Sequence, residues 1–415
     1  MDTFTGFEYL LIDVANQWGL DKEIYQTRID WTLENLSDLE KLAEDREYWK
    51  EQPLYLKAVQ AVRKAQKGIP TGHIVGFDST CSGMQVMSAL TGCHSGAKMT
   101  NLVDPTKRYD AYGECLTEMR KYIPSLPNTA RQDLKDAVMT VLYGSIKEPE
   151  RIFGEGTKEI EAFYKAVFTM APGAFELLEI LRNSWNSYGL CHSWVMPDNH
   201  HVHVKVMQTV EERIEVDELN TSFVYRYKEN IGKRKGVSNV ANVIHSIDAY
   251  LVRSIIRRCN YDSKVVESTQ SLIESELHAR EHASYEHVIG VIPREVGTAL
   301  SRYNDTQMID AVVIAMITHK NVKSIPTEYL ITVLGLIDEM VAHAPFDLIT
   351  VHDEFKCSPN HMNVLRWHYK EIMAELAEST ILDDVLESLY GQSIEYEKLS
   401  NNLGDIIRQS NYSIC

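Results

Sequence analysis

The sequence predicts a helix-rich α+β fold with a few short strands. Three observations carry that prediction. Apolar residues recur at helical spacing through most of the 415-residue chain. Apolar stretches too short for helices interrupt this pattern at 74–77 and 348–351, and residues 192–206 alternate in the two-residue period of a hairpin. The composition, 44% hydrophobic and 24% charged, is that of a chain able to bury a core rather than a disordered one.

Residues 1–68 read as helices over 9–18, 28–36 and the charged run 37–50. In that run Glu47 and Lys50 stand one turn apart, and Pro53 ends it. The apolar strand 74–77 is followed by a helix over 82–90. The spacing predicts a helix over 129–142, capped by Asn128 or Thr129 and closed by Gly144. Helical periodicity covers 159–184 with a break at Pro172-Gly173. The 192–206 hairpin turns at Pro197-Asp198-Asn199, and a long helix covers 240–258. Residues 260–325 are mixed and mildly acidic. A helix over 328–343 leads into the strand 348–351, and the chain after Asn360 is helical and acidic. No internal repeat or low-complexity stretch appears.

The balance of 42 Lys+Arg against 59 Asp+Glu gives a net charge of −17. That argues against gripping nucleic acid by bulk electrostatics, and leaves room for a local basic cleft. The longest apolar runs, 311–317 and 330–337, fall well short of the about 20 residues of a membrane span, so no membrane association is expected. The opening MDTFTGFEYL lacks the basic-then-apolar pattern of a signal peptide. Seven widely spaced cysteines with no CxxC suggest neither a disulfide framework nor a zinc ribbon, and point to a reducing cytoplasm.

Three segments could carry chemistry. In TGHIVGFDSTCSGMQVMSAL (71–90) a strand ends at Asp78, with the small residues Ser79, Ser82 and Gly83 beside it. Asp78 could equally be a helix cap. In FDLITVHDEFKCSP (346–359) a strand runs into His352-Asp353 and resumes beyond, leaving Asp353 at the tip of a turn where a solvated Asp is also common. Two strand-end carboxylates are what hard Mg²⁺ needs while keeping positions for phosphate and water. On the helix 129–142, Arg131, Lys135, Met139 and Tyr143 form one stripe. Two cations in the first turns of a helix oppose its macrodipole unless an anion lies between them. A triphosphate would serve, with Met139 and Tyr143 as a shelf for a base. A surface helix with an incidental basic face reads the same way.

Together these segments resemble motifs A, B and C of the single-subunit, T7-type RNA polymerases. DSTCSGMQ (78–85) is similar to motif A, RQDLKDAVMTVLYGS (131–145) to motif B and VHDEF (351–355) to motif C. Residues 6–35, NLVDPTKRYDAYG (101–113) and SNVANVIHSIDAYLVR (238–253) agree as well, all in the family's order. The resemblance implies a right-hand fold. Its palm would cover 1–100, fingers 101–236, a palm–fingers helix 237–258, a family-atypical insertion 259–325, and the rest of the palm with C-terminal helices 326–415. It implies that Asp78, Asp353 and the Ser79 carbonyl hold two Mg²⁺ ions. Arg131, Lys135 and Lys22 would contact the triphosphate, with Lys135 the proton donor to pyrophosphate. Tyr143 would sense the ribose, His245 would hydrogen-bond near it, Tyr112 would line the nucleotide site and His352 would flank the metal Asp.

Departures from the pattern shape further expectations. Asp136 replaces a usual basic residue, and Glu354 gives motif C the His-Asp-Glu of family A DNA polymerases, which keeps a DNA polymerase as the closest rival. The small run at Gly83 lacks that family's bulky Glu and favours ribonucleotides. Roughly 70–80 residues beyond the usual spacing separate His245 from His352. The chain begins near the palm, as in the split polymerases of N4-like phages. This implies a smaller partner subunit supplying the N-terminal domain and thumb, accessory or single-stranded-DNA-binding proteins, a DNA template, nascent RNA, rNTPs and the cytoplasm of an infected bacterium. A non-catalytic scaffold is the binding-class alternative. Outside these motifs, His278-Ala-Arg-Glu281-His282 fits the H-x-x-E-H pattern of zinc hydrolases, with Glu339 a conceivable distant ligand. His200, His201 and His203 cluster in the hairpin. Tyr225–Lys228 with Lys233, Arg234 and Lys235 forms a basic, aromatic stretch that could touch phosphates or be a solvated loop.

Overall fold

The computed structural model describes residues 1–282 and 290–415; residues 283–289, inside the 259–325 stretch, lie outside the described residues. The fold is helix-rich α+β, with seven strands among the described residues: β1 (Val75–Asp78), β2 (Cys191–Val195), β3 (His201–Lys205), β4 (Gln208–Val216), β5 (Thr221–Glu229), β6 (Leu348–Val351) and β7 (Glu354–Cys357). They form an antiparallel sheet in the order β1-β7-β6 and two separate hairpins, β2-β3 and β4-β5.

The first helix, Gly6–Ala15, starts earlier than apolar spacing alone predicts because Thr5 and Glu8 make a capping box. It runs into a π-turn, Asn16–Leu20, kinked within at Gly19, which takes φ 107°. The helix expected over 37–50 is only Leu39–Asp45, so Glu47 and Lys50 lie outside it. Tertiary packing explains the early stop. The Arg46 guanidinium lies 4.6 Å from the Trp18 ring and 4.4 Å from Trp49, and donates to the Trp18 carbonyl at 3.0 Å. Pro53 then lies in the first turn of the next helix, Gln52–Gln66, where its missing N–H costs nothing.

The Ala130–Leu142 helix has Thr129 at its cap position without a side-chain capping bond, and Gly144 leaves it at φ 91°. The periodic stretch 159–184 divides into Lys158–Met170 and Pro172–Asn183 at the expected proline. The β2-β3 hairpin turns at Asn199, which takes φ 59°. The long β4-β5 ribbon is absent from the sequence reading. Both its faces are largely exposed, so no buried face imposes an apolar period. Cross-strand pairs such as Arg226–Glu211 at 2.7 Å run along it.

The main core gathers the sheet, the Ser82–Leu90, Ala130–Leu142, Ser238–Cys259 and Met362–Glu378 helices, and the first helices of the chain. A second core joins Val266, Ile273, Val296, Ile314, Leu330 and Ile337, so most described residues of the 259–325 stretch pack with the Thr327–Val341 helix. Charged ties fasten this unit to the rest. Arg257 joins Asp198 to Asp310, each at 2.9 Å, and fully buried Arg258, forked onto Glu375 at 2.8 and 2.6 Å within the main core, also reaches Glu339 of the Thr327–Val341 helix at 3.8 Å. No described helix is long and apolar enough to cross a membrane.

Candidate active site

The β1-β7-β6 sheet is short because its purpose is to present two turns. β1 ends at Asp78, directly opposite Glu354 of β7. His352-Asp353 is the two-residue turn between β6 and β7, and His352 takes φ 57°, a conformation uncommon for a side-chain-bearing residue. The turn therefore delivers Asp353 beside Asp78. The Ser79 hydroxyl donates to Asp353 Oδ2 at 2.7 Å, and its N–H reaches Asp78 Oδ1 at 3.0 Å and the Asp353 carbonyl at 3.3 Å. Residues 274 positions apart are thus locked together through one serine. From behind, the Cys415 N–H donates to the Asp78 carbonyl at 3.1 Å and Ile414 pairs with Ser79. Tyr25 donates to the Ile414 carbonyl at 2.9 Å, and the Gln85 amide to the Ser413 carbonyl at 2.9 Å.

Asp78 keeps a solvent-facing edge, yet protein packs around the rest of its carboxyl. Burial, then the charges of Asp353 and Glu354, push it up to about 7, against the opposing pull of the Ser79 N–H and Lys135. Hard oxygen donors crowded at two strand ends, with more negative charge than the site neutralises, are a fit for a divalent cation. Asp248, on the Ser238–Cys259 helix, faces the same site: burial, then Asp353, raise it to about 6 while His352 pulls it down. The sequence reading passed over Asp248. Its signal was present, one helical turn beyond His245.

The Ala130–Leu142 helix contributes its stripe in two parts. Lys135 directs its charge toward Asp78 and Cys81. Arg131 is engaged elsewhere, forking onto Asp110 at 2.6 and 2.7 Å. Burial raises the Asp110 carboxyl, but Arg131, exposed Lys22 and the Tyr112 N–H outweigh it and hold the group below the usual carboxylate range. Asp110 is thus an anion that lets a cation sit in the first turn of this helix, where the sequence suggests a triphosphate or the helix's own Asp133 and Asp136. The Arg131 guanidinium also lies 5.7 Å from the Tyr112 ring. Met139 stands 41% exposed on the next turns.

Tyr143 ends the stripe against Gly83. A Cβ on Gly83 would meet the Tyr143 hydroxyl at 3.2 Å and Cζ at 3.3 Å, so the glycine makes the seat for the phenol. Burial pushes that phenol up to about 12, with the Ser82 hydroxyl opposing. His245 meets Tyr143 by stacking rather than by the expected hydrogen bond: the ring centroids are 4.6 Å apart and the planes within 9°. Burial and then His352 lower the His245 pKa, favouring a neutral ring at that stack. Tyr112 lies against Cys81, which turns from β1 into the helix at φ 55°. The structure therefore joins Asp78, Ser79 and Asp353 at one point, within electrostatic reach of Lys135, stacks Tyr143 on His245 at a second, and sets Arg131 and Tyr112 against Asp110 at a third, within electrostatic reach of Lys22.

The remaining motif candidates lie apart from these groups. His201 and His203 stand in β3 with ring centroids 6.2 Å apart. Tyr225 and Tyr227 stack at 5.5 Å on the exposed β5 strand. Glu339 faces Arg258 at 3.8 Å, well occupied at the seam between the two cores.

Residues 3–151 match the family described as DNA-dependent RNA polymerase. The chain is similar to a probable DNA-directed RNA polymerase of Neurospora crassa, 28% identical over 159 residues, which is 34% of this chain and 18% of that protein. It is 24% identical over 302 residues to the DNA-directed RNA polymerase of Pseudomonas phage phiKMV, covering 59% of this chain and 37% of that one. Mitochondrial DNA-directed RNA polymerase 1 of Arabidopsis thaliana is 28% identical over 172 residues, 34% of this chain and 18% of the relative. The chain thus spans well under half the length of these relatives.

Proposed function

We propose that the chain is the catalytic subunit of a DNA-directed RNA polymerase of the single-subunit, T7-like family, a reading supported by the family match over residues 3–151 and by the similarity to polymerases of a phage and a fungus. The observation that carries the proposal is the 2.7 Å bond from Ser79 to Asp353, which couples the two strand-end carboxylates beside Lys135. The fold reads as the palm and fingers of a right hand, with β1, β6 and β7 as the palm sheet.

Asp78, Asp353 and the Ser79 carbonyl would hold two Mg²⁺ ions, which supply Lewis-acid activation of a 3′-hydroxyl and charge neutralisation on a triphosphate. In the reaction the 3′-hydroxyl loses its proton to solvent, its oxygen bonds to the α-phosphorus of an rNTP and the bond to pyrophosphate breaks. Lys135 gives a proton to the departing pyrophosphate. Arg131 and Lys22 bind the phosphates, for which Arg131 exchanges part of its Asp110 fork. Tyr112 and Met139 border the nucleotide. Tyr143, seated on Gly83 and backed by neutral His245, reads the ribose.

The net charge of −17 leaves little general affinity for duplex or hybrid. A second, more basic subunit carrying the N-terminal and thumb functions belongs to the same proposal. So do a DNA template, nascent RNA, phage accessory or single-stranded-DNA-binding proteins, and the cytoplasm of an infected bacterium. The test is primer extension on a bubble or single-stranded template with Mg²⁺, using rNTPs or dNTPs, with and without a co-encoded partner. Preference for dNTPs would favour the DNA polymerase reading that Glu354, opposite Asp78, brings to mind. Unchanged extension by a folded Asp353→Asn variant would refute the metal role, and full activity of the chain alone would refute the partner.

A further inference from the structure

We propose that the last turn of the Ser263–Glu281 helix, with His278, Glu281 and His282, is a binding site for a zinc-class transition-metal cation. This inference is independent of the polymerase reading.

The three side chains stand on one helix face, because positions three and four apart are neighbours there. One ligand atom of each lies within 4.8 Å of the other two, and among the described residues no other group of three such side chains comes this close. The two imidazole centroids are 4.3 Å apart. Tetrahedral zinc with bonds of about 2.0–2.2 Å sets its donors about 3.4 Å apart. The atoms therefore need to close by about 1.4 Å at most, which side-chain rotation supplies, since all three residues are exposed.

Two further observations favour metal over chance proximity. His282 Nδ1 lies 2.9 Å from the His278 carbonyl oxygen. A ring that donates there carries its lone pair on Nε2, the arrangement that orients metal-ligating histidines. The site also sits at a helix C-terminus, where the free carbonyls favour a cation. The backbone beneath is pinned: Arg280 bonds Glu276 at 2.9 Å, the Ile325 carbonyl at 2.9 Å, Thr327 at 2.8 Å and the Val322 carbonyl at 3.1 Å. The ligands therefore start from a fixed turn, and bound metal would hold that last turn of the helix closed.

Two imidazoles and a carboxylate suit Zn²⁺, Ni²⁺ or Cu²⁺, whereas the all-oxygen pair Asp78 and Asp353 suits Mg²⁺. The two sites would sort metals by donor chemistry. Glu281 acts here as a ligand, and Glu339, paired with Arg258, does not complete the set.

The test titrates the full chain with Co²⁺ in excess Mg²⁺ and reads the visible absorption of nitrogen-ligated cobalt, followed by its displacement by Zn²⁺. One equivalent should bind. His278→Ala and His282→Ala should each weaken binding at least about tenfold, and Asp353→Asn should leave the band intact. Circular dichroism of the metal-free variants checks the fold; should an alanine variant not fold, His282→Gln gives the same comparison. Absence of the band in the unaltered chain, its survival at full affinity in a folded His278→Ala/His282→Ala variant, or its loss in Asp353→Asn would overturn the proposal.

Discussion

Divalent-metal binding between Asp78 and Asp353 should weaken as pH falls through about 7, the value to which the surroundings raise Asp78 from 3.8. The sign follows from linkage. Between those two values the folded, metal-free chain binds more protons at this carboxyl than the unfolded chain does. The fold therefore loses stability as pH rises through that window. A cation binds the ionised form and relieves that loss, so it competes with the proton. About a tenth of Asp78 is ionised at pH 6 and about nine-tenths at pH 8, which makes the apparent Kd roughly tenfold weaker at pH 6. Mg²⁺ at about 100 times its pH 8 Kd should add about 2.7 kcal/mol at pH 8, or about 3 °C in Tm for a chain of this length. The same concentration at pH 6 should give about half that. Isothermal titration and thermal melts at pH 6, 7 and 8 measure both. Carboxyl carbon NMR of the metal-free Asp353→Asn variant should find Asp78 titrating lower, since a neighbouring charge is gone while burial remains. Affinity that is flat from pH 6 to 8, or an Asp78 midpoint unmoved in Asp353→Asn, would refute the reasoning.

Other expected outcomes follow from the same geometry. Lys135→Ala should slow single-nucleotide incorporation by about 10²–10⁴-fold, the usual worth of a positioned proton donor, whereas Arg131→Ala should chiefly raise the rNTP KM, by about tenfold. Gly83→Ala puts a Cβ 3.2 Å from the Tyr143 hydroxyl and should lower the rNTP-over-dNTP preference, in parallel with Tyr143→Phe; incorporation assays with matched pairs of substrates would read it. The fully buried Arg258 guanidinium forks onto Glu375, so Glu375→Gln, which leaves that charge only the longer 3.8 Å contact to Glu339, should destabilise the chain by about 3 kcal/mol in urea unfolding.

How much of this was legible varied by element. The helix over 82–90 and the strands on either side of Asp353 followed from local pattern: β7 alternates between buried and half-buried, while the helix, buried on nearly every side, and β6, with Ile349 and Val351 exposed, stand out as apolar runs. The 37–50 run misled because Arg46 trades helical continuation for a place between Trp18 and Trp49, residues whose approach no local window contains. The β4-β5 ribbon escaped because solvent on both faces removes the apolar signal. At the site, Asp110 was invisible as the partner of Arg131, 21 positions away, until the fork formed.

The sequence alone determined which side chains were available: two strand-end aspartates, a basic helical stripe and a glycine that carries no Cβ. Local periodicity and turn chemistry suffice for that, since both act between near neighbours. Only the tertiary structure decided how they meet. It joined Asp78 to Asp353 through Ser79, gave Arg131 to Asp110 and seated Tyr143 on Gly83. The cause is packing: burial and like charge, which raise Asp78, exist only once distant segments have been brought to the same few ångströms.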